Sequence, residues 1–127
     1  PSHDPPPYPM PSSSAFQKAS HFDEDLPTIP EDPTEADLKP WRDRIDEIDQ
    51  TILRLVNERE AYADVIGYIK SKLGVRAYVP HREAEVLENV VSLNEGPFSD
   101  NAIRRIFEQI IEETRSLEQR TYEGGDE

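Results

Sequence analysis

Apolar residues recur at alternating spacings of four and three along the middle of the chain. The stripe consists of Trp41, Ile45, Ile48, Ile52, Leu55, Tyr62, Ile66, Ile69 and Leu73. This spacing predicts a long amphipathic helix whose apolar seam packs against another helix. The seam skips one position, which Arg59 occupies. A guanidinium on a buried stripe is costly unless an anionic group meets it, so Arg59 indicates a partner carboxylate or an anionic ligand.

The first helix is expected to begin near Thr34, with Thr34 or Asp37 as its N-cap, or to be entered at Pro40. Its pattern continues to about Lys72 and stops at Gly74, a residue typical of helix C-termini. About 32 residues at roughly 1.5 Å each give a rod of roughly 48 Å, which is too long for the rest of one chain to cover. We therefore predict an obligate homodimer in which the first helices pack antiparallel.

Two shorter helices follow. Pro80 suits the first turn of a helix over 81–94, and Gly96-Pro97 ends it. Ser99 is the expected N-cap of a third helix over 100–121. Strand patterns are absent from the sequence, so the predicted fold is all-α, with one long and two shorter helices.

The composition predicts three regions. Residues 1–33 are rich in Pro and Ser and then acidic, without periodicity, and are expected to be a disordered tail. Residues 34–122 form the predicted helical domain, and residues 123–127 are expected to be a disordered end.

The net charge of −13 argues against nucleic acid as a partner, because phosphate binding requires a cationic surface. No apolar run approaches the roughly 20 residues of a membrane span. The chain has no cysteine and its N-terminus does not resemble a signal peptide, so a cytoplasmic location is expected.

Polar residues lie at the edges of the predicted apolar faces on all three helices. They are Arg42, Lys70, Arg82, Glu83, Thr114 and Glu118. Each alone is also compatible with a solvated surface position, a helix-end position or a tolerated core position. Together with Arg59 they describe several cations and a few polar groups, which suits a pocket for a small polycarboxylate.

The candidate chemistry is narrowed by what the sequence lacks. Of the three histidines, His3 and His21 fall in the predicted tail and His81 stands alone, so no metal cluster is expected. Neither a nucleophile arrangement nor a glycine-rich phosphate loop is visible. Such a site suits a reaction that needs only electrostatic and conformational restraint.

Four segments together resemble the all-helical (AroQ-class) chorismate mutases. They are WRDRIDEIDQTILRLVNERE, IGYIKSKLG, YVPHREAEVLENV and IRRIFEQIIEETRSLE, within about residues 38–120. The resemblance implies an intertwined three-helix homodimer with two sites, each completed by the partner's long helix. It implies the [3,3] rearrangement of chorismate to prephenate, a step of phenylalanine and tyrosine biosynthesis, without a cofactor or covalent intermediate.

The resemblance also assigns residue roles. Arg59 and Arg42 would bind the substrate carboxylates, with Arg42 reaching in from the other subunit. Arg82 would assist on the carboxylate side, and Thr114 would support a carboxylate.

The remaining roles concern the ether oxygen and the ring hydroxyl. Lys70 would bind the ether oxygen and a carboxylate, Glu118 would make the second ether contact, and Glu83 would accept a hydrogen bond from the ring hydroxyl. Many relatives have Asp where this chain has Val79, and some have Gln in place of Glu118. A glutamate donates to the ether oxygen only when protonated, so activity should fall as pH rises unless the pocket favours the protonated form.

Three other interpretations remain open at this point. An isochorismate pyruvate-lyase would share this fold and a closely similar pocket. A helical dimer could instead dock on another enzyme of aromatic biosynthesis or regulate it, with the acidic tail as a contact. A plain coiled-coil dimer predicts that Arg59→Leu stabilises the protein without functional loss.

Overall fold

The computed structural model describes residues 26–76 and 79–123, and all regular structure in these residues is helical. Helix α1 spans Leu38–Leu73, α2 spans Pro80–Leu93 and α3 spans Asp100–Glu118. A short 3₁₀ turn, Glu35–Asp37, precedes α1, and a π-helical turn, Gln119–Glu123, follows α3. The prediction of an all-α chain with one long and two shorter helices is confirmed.

The predicted disordered ends fall largely outside the described residues. Residues 1–25 and 124–127 lie outside them, whereas residues 26–33 are described and contain neither helix nor strand. The domain bounds of 34–122 stay a prediction.

The chain divides into two compact units, residues 1–51 and residues 52–127. In the first unit, the backbone N–H of Thr34 donates to Asp37 Oδ2 at 2.7 Å, and the N–H of Asp37 donates to the Thr34 carbonyl at 2.9 Å. These two bonds close the 3₁₀ turn that leads into α1, so both residues that the sequence singled out as caps take part in starting the helix.

In the second unit, Gly74 ends α1 as the sequence predicted. Gly74 has a φ of 73°, a left-handed conformation that a residue without a Cβ adopts at little cost. The N–H of Val75 donates to the Lys70 carbonyl at 3.0 Å, and the N–H of Gly74 donates to the Ser71 carbonyl at 3.3 Å. This pair of bonds is a Schellman motif. It fixes the last turn of α1, which carries Lys70.

The two shorter helices begin differently. Val79 caps α2 with its backbone alone, since its carbonyl accepts from the N–H groups of Arg82 at 3.0 Å and Glu83 at 3.2 Å. Ser99 caps α3 with its side chain, whose Oγ accepts from the N–H of Ala102 at 3.1 Å. The predicted cap at Ser99 is therefore confirmed.

The third helix does not continue as a regular α-helix to residue 121. Its α-helical part ends at Glu118, where the N–H of Gln119 is shared between the carbonyls of Arg115 and Ser116. The backbone then widens into the π turn. Sequence periodicity does not distinguish the two forms here, because the π segment has only five residues, about one turn.

Few apolar side chains are buried within the described residues. Ile111, with 9% of its surface exposed, is the only buried apolar residue among them. Seam residues of α1 remain open to solvent in the single chain, for example Ile66 at 51% and Leu73 at 69% exposure. A single chain therefore leaves the apolar seam of α1 largely uncovered.

The Ser99 cap can be tested by removing its hydroxyl. We expect Ser99→Ala to lower the free energy of unfolding by about 1 kcal/mol, because the N–H of Ala102 loses its acceptor. Ser92→Ala is the matched control, since the Ser92 hydroxyl only bonds back to the Asn89 carbonyl within α2. Urea unfolding followed by circular dichroism measures both variants, and equal stability of the two would contradict the cap.

Candidate active site

One face of α1 in the second unit contributes a stripe to a cavity. The stripe consists of Arg59, Tyr62, Ala63, Ile66 and Lys70. These residues stand at positions i, i+3, i+4, i+7 and i+11, which lie on one side of a helix. The seam position that the sequence singled out, Arg59, is half-buried at the start of this stripe.

Arg59 is held by a hydroxyl on the facing helix. Its Nη1 donates to Thr114 Oγ1 on α3 at 3.3 Å, and that hydroxyl donates to Glu60 Oε1 at 2.8 Å. A hydroxyl has a single proton, which here goes to Glu60, so Thr114 offers Arg59 a lone pair. These two hydrogen bonds join α1 to α3 and align the guanidinium, which forms no direct ion pair within the part of the chain that the structure describes.

The cavity has a volume of about 260 Å³ and is lined by all three helices. It brings together six of the seven residues that the sequence predicted for a site, namely Arg59, Lys70, Arg82, Glu83, Thr114 and Glu118. Apolar walls come from Ile66, Val79, Val86 and Ile111. Such a combination of apolar lining and a few convergent polar groups is typical of a small-molecule site.

The cavity carries more positive than negative groups, although the chain as a whole is acidic. Its basic residues are Arg59, Lys70, Arg82 and Arg115, and its acidic residues are Glu83 and Glu118. Two of the bases have ion-pair partners outside the lining: Arg82 Nη1 lies 2.8 Å from Glu85 Oε1, and Arg115 Nη2 lies 2.7 Å from Glu112 Oε1. The local excess of cations suits an anionic ligand.

Arg42, the seventh predicted residue, does not line this cavity. It lies on α1 in the first unit, where its side chain is exposed, whereas all lining residues belong to the second unit. Its role therefore stays a prediction.

Glu118 is the most buried charged residue among those described, with 8% of its surface exposed. It lies against Gly67, which is also buried. A Cβ placed on Gly67 would approach Glu118 Oε2 to 3.0 Å and the ring atom Cε2 of Tyr122 to 2.9 Å. Tyr122 is anchored on α1, because its hydroxyl lies 2.9 Å from Asp64 Oδ1 and 3.2 Å from the Asp64 carbonyl.

The pKa values of two tyrosines, Tyr62 and Tyr122, are raised above the ordinary value of a phenol. The hydrogen bond to Asp64, followed by partial burial and the nearby charges of Asp64 and Glu118, raises the pKa of Tyr122. The hydrogen bond to Glu58 Oε2, 2.7 Å long, and the charge of that carboxylate raise the pKa of Tyr62. Both phenols therefore act as neutral donors at physiological pH.

The sequence did not single out Glu60, Arg115, Gly67 or Tyr122. A signal for Gly67 was present, because a glycine inside a helix costs about 1 kcal/mol relative to alanine and so often marks a close approach. Glu60 and Arg115 gave no such signal, since charged residues are expected at most exposed helix positions. Tyr122 follows the α-helical part of α3, where side-chain direction depends on the π turn.

The described residues hold no group of three or more His, Cys, Asp or Glu side chains arranged for a metal ion. Within the same residues, no helix is long and apolar enough to cross a membrane.

Comparison with known proteins identifies one family that matches the helical part of this chain. The family described as chorismate mutase type II matches residues 41–119. The bifunctional chorismate mutase/prephenate dehydratase of Aquifex aeolicus is 43% identical over 88 residues, which are 66% of this chain and 24% of that protein. The chorismate mutase of Methanocaldococcus jannaschii is 34% identical over 87 residues, covering 68% of this chain and 88% of that protein.

A solved structure of a protein from this family is also similar to this chain. Chorismate mutase from Thermus thermophilus (form II) superimposes with a TM-score of 0.65 at 35% identity, covering 67% of this chain and 97% of that chain. The present chain spans about a quarter of the length of the bifunctional relatives. The family match covers every residue that lines the cavity. The helices and the cavity between them are therefore those of a family member: the chain belongs to the chorismate mutase type II family.

Proposed function

We propose that this chain catalyses the rearrangement of chorismate to prephenate. The observation that carries the proposal is that six predicted residues meet in one cavity with an excess of basic groups. Its volume of about 260 Å³ suits a small ligand, since pockets for drug-sized molecules begin at roughly 300 Å³. In the reaction the ether C–O bond breaks and a C–C bond forms within one molecule, so no co-reactant is needed.

The basic groups would act first by holding the substrate in a reactive conformation. Chorismate has two carboxylates, and Arg59 and Arg82 supply guanidinium groups that bind carboxylates with two parallel hydrogen bonds. Thr114 accepts from Arg59 Nη1 and thereby fixes the direction of the remaining N–H groups. Clamping both carboxylates holds the enolpyruvyl group over the ring, which removes much of the orientational entropy from the barrier.

Lys70 and Glu118 would act on the ether oxygen. Negative charge grows on this oxygen as the C–O bond breaks, so a donor placed there stabilises the transition state more than the substrate. Lys70 lies in the last turn of α1, which the Schellman motif at Gly74 fixes in place. Glu118 lies buried on the opposite helix, and Glu83 at the start of α2 would accept the hydrogen bond of the ring hydroxyl.

Loss of chorismate absorbance, with prephenate identified as product, tests the function. We expect Lys70→Ala to lower kcat by about 100-fold or more, because the variant loses a cationic donor to the developing charge. Lys72→Ala is the matched control, since the Lys72 ammonium lies 5.4 Å from the exposed Tyr68 ring rather than in the cavity. Release of pyruvate from isochorismate would instead identify a lyase, and absence of turnover would favour a docking or regulatory module.

The working form is further proposed to be a homodimer. Ile111 is the only buried apolar residue among those described, and the exposed seam on α1 is a surface that a second copy would cover. The resemblance to the family motivates the proposal that Arg42, an exposed residue of the first unit, contributes to the site of the other subunit. This chain spans only about a quarter of the length of its bifunctional relatives. Association with a separate enzyme of the aromatic pathway is therefore an alternative proposal. The cytoplasmic location stays a prediction from composition.

Mixing two inactive variants tests the shared site. In a heterodimer of Arg42→Ala and Lys70→Ala subunits, one site has both substitutions and the other has neither. After unfolding and refolding of an equal mixture, half the dimers are mixed, so we expect roughly a quarter of the wild-type activity to return. Activity no higher than the mean of the two variants would contradict a site completed by Arg42 of the partner.

Glu118 makes the reaction sensitive to pH. Only the protonated carboxyl donates to the ether oxygen, so kcat should be lower wherever Glu118 has lost its proton. Glu118→Gln donates at any pH, and we expect its profile to be flat over the range in which the wild type declines. Glu108→Gln, on an exposed position of α3, should retain the wild-type profile. An unchanged profile in Glu118→Gln would remove Glu118 from the proton step.

A further inference from the structure

Gly67 is a point of very close approach between the first helix and the end of the third. A Cβ built there would meet Tyr122 Cε2 at 2.9 Å, Glu118 Oε2 at 3.0 Å and Tyr122 Cδ2 at 3.1 Å. Real Cβ atoms essentially never approach heavy atoms more closely than about 3.0 Å, so a larger residue would force one of the two side chains to move. The tyrosine ring and the glutamate carboxylate therefore share one small space over the Gly67 backbone.

Tyr122 is tied to the same helix one turn earlier. Its hydroxyl lies 2.9 Å from Asp64 Oδ1 and 3.2 Å from the Asp64 carbonyl. The ring thus spans from Asp64 to Gly67 along α1 while its backbone belongs to the π turn that follows Glu118. Single π turns in helical segments are frequent at functional sites. Tyr122 is not among the residues that line the cavity.

Glu118 stands at a helix end, where the helix itself fixes the position of a side chain least. Glu118 ends the α-helical part of α3, and the final turns of helices fray when nothing holds them. A donor to the ether oxygen must be held within a fraction of an ångström of its productive position. Tyr122 anchors the segment that follows Glu118, because its contacts with Asp64 and Gly67 connect the π turn to α1.

We propose that Tyr122 is a positioning residue for Glu118: its ring packs on Gly67 beside the carboxylate, and its hydroxyl anchors the ring on Asp64. The inference rests on the proposed function, because it assigns Glu118 a contact with the reacting ether oxygen. Tyr122 itself does not touch the substrate. It limits the positions that the carboxyl group can take over Gly67.

The first experiment compares variants of Tyr122 in the chorismate assay. We expect Tyr122→Ala to lower kcat by tenfold to about 100-fold with little change in KM, because a misplaced donor weakens mainly the transition state. Tyr122→Phe keeps the ring but loses the bond to Asp64, and should lower kcat about fivefold. Thr121→Ala, an exposed neighbour, is the control and should keep the wild-type kcat.

A double-mutant cycle separates positioning from general loss of structure. If Tyr122 acts through Glu118, then Tyr122→Ala should have little further effect on kcat in a Glu118→Ala background. The same factor in both backgrounds would overturn the proposal, as would wild-type kcat in Tyr122→Ala. Wild-type protein without turnover would overturn the proposed function and this inference together, whereas activity that is insensitive to Tyr122 would overturn the inference alone.

Gly67→Ala provides a second test that leaves Tyr122 in place, which matters if Tyr122→Ala fails to fold. Alanine is the better helix former, so a position with free space would gain stability and keep its activity. We expect instead a kcat lowered about tenfold, and a smaller effect when Tyr122→Ala has already removed two of the three close atoms. Wild-type kcat in Gly67→Ala would overturn the close packing on which the inference depends.

Discussion

The hydrogen bond from Arg59 to Thr114 is the interaction on which the site depends. A guanidinium on an apolar helix face is unfavourable unless its N–H groups are satisfied, and here the facing helix supplies an acceptor at 3.3 Å. The Thr114 hydroxyl donates its proton to Glu60, so the Thr114 side chain lies between the negative charge of the Glu60 carboxylate and the Arg59 guanidinium. Arg59 is oriented by the protein, and no carboxylate of residues 26–76 or 79–123 forms a direct ion pair with it, which is the state that an anion-binding residue requires.

Short-range contacts explain how an acidic chain can bind an anion in a basic cavity. The net charge of −13 repels anions at long range, so attraction has to come from a few groups at short distance in a partly enclosed space. Apolar walls such as Val86 and Ile111 lower the local dielectric and strengthen each contact with a charged ligand. The Glu85 and Glu112 partners of Arg82 and Arg115 lie outside the lining, so the cavity surface itself stays cationic.

Most of the fold could be predicted from the sequence because its signals are local. Gly74 and Ser99 mark helix ends through backbone conformation and side-chain capping, which depend on a few neighbouring residues. The misfit of Arg59 on the seam and the polar edges of the other helices also indicated the site, and six of those residues line one cavity. Glu60 and Tyr122 could not be predicted in the same way, since their partners lie more than fifty positions away in the chain.

The close packing at Gly67 has a consequence for how this sequence can change. A side chain at position 67 would meet the Tyr122 ring at 2.9 Å and the Glu118 carboxylate at 3.0 Å, so it is accommodated only if one of these two side chains moves. A smaller residue at 122 removes two of the three close atoms and leaves only the Glu118 carboxylate oxygen to shift. The residues at 67 and 122 are therefore coupled: growth at 67 should cost less after a reduction at 122 than before it.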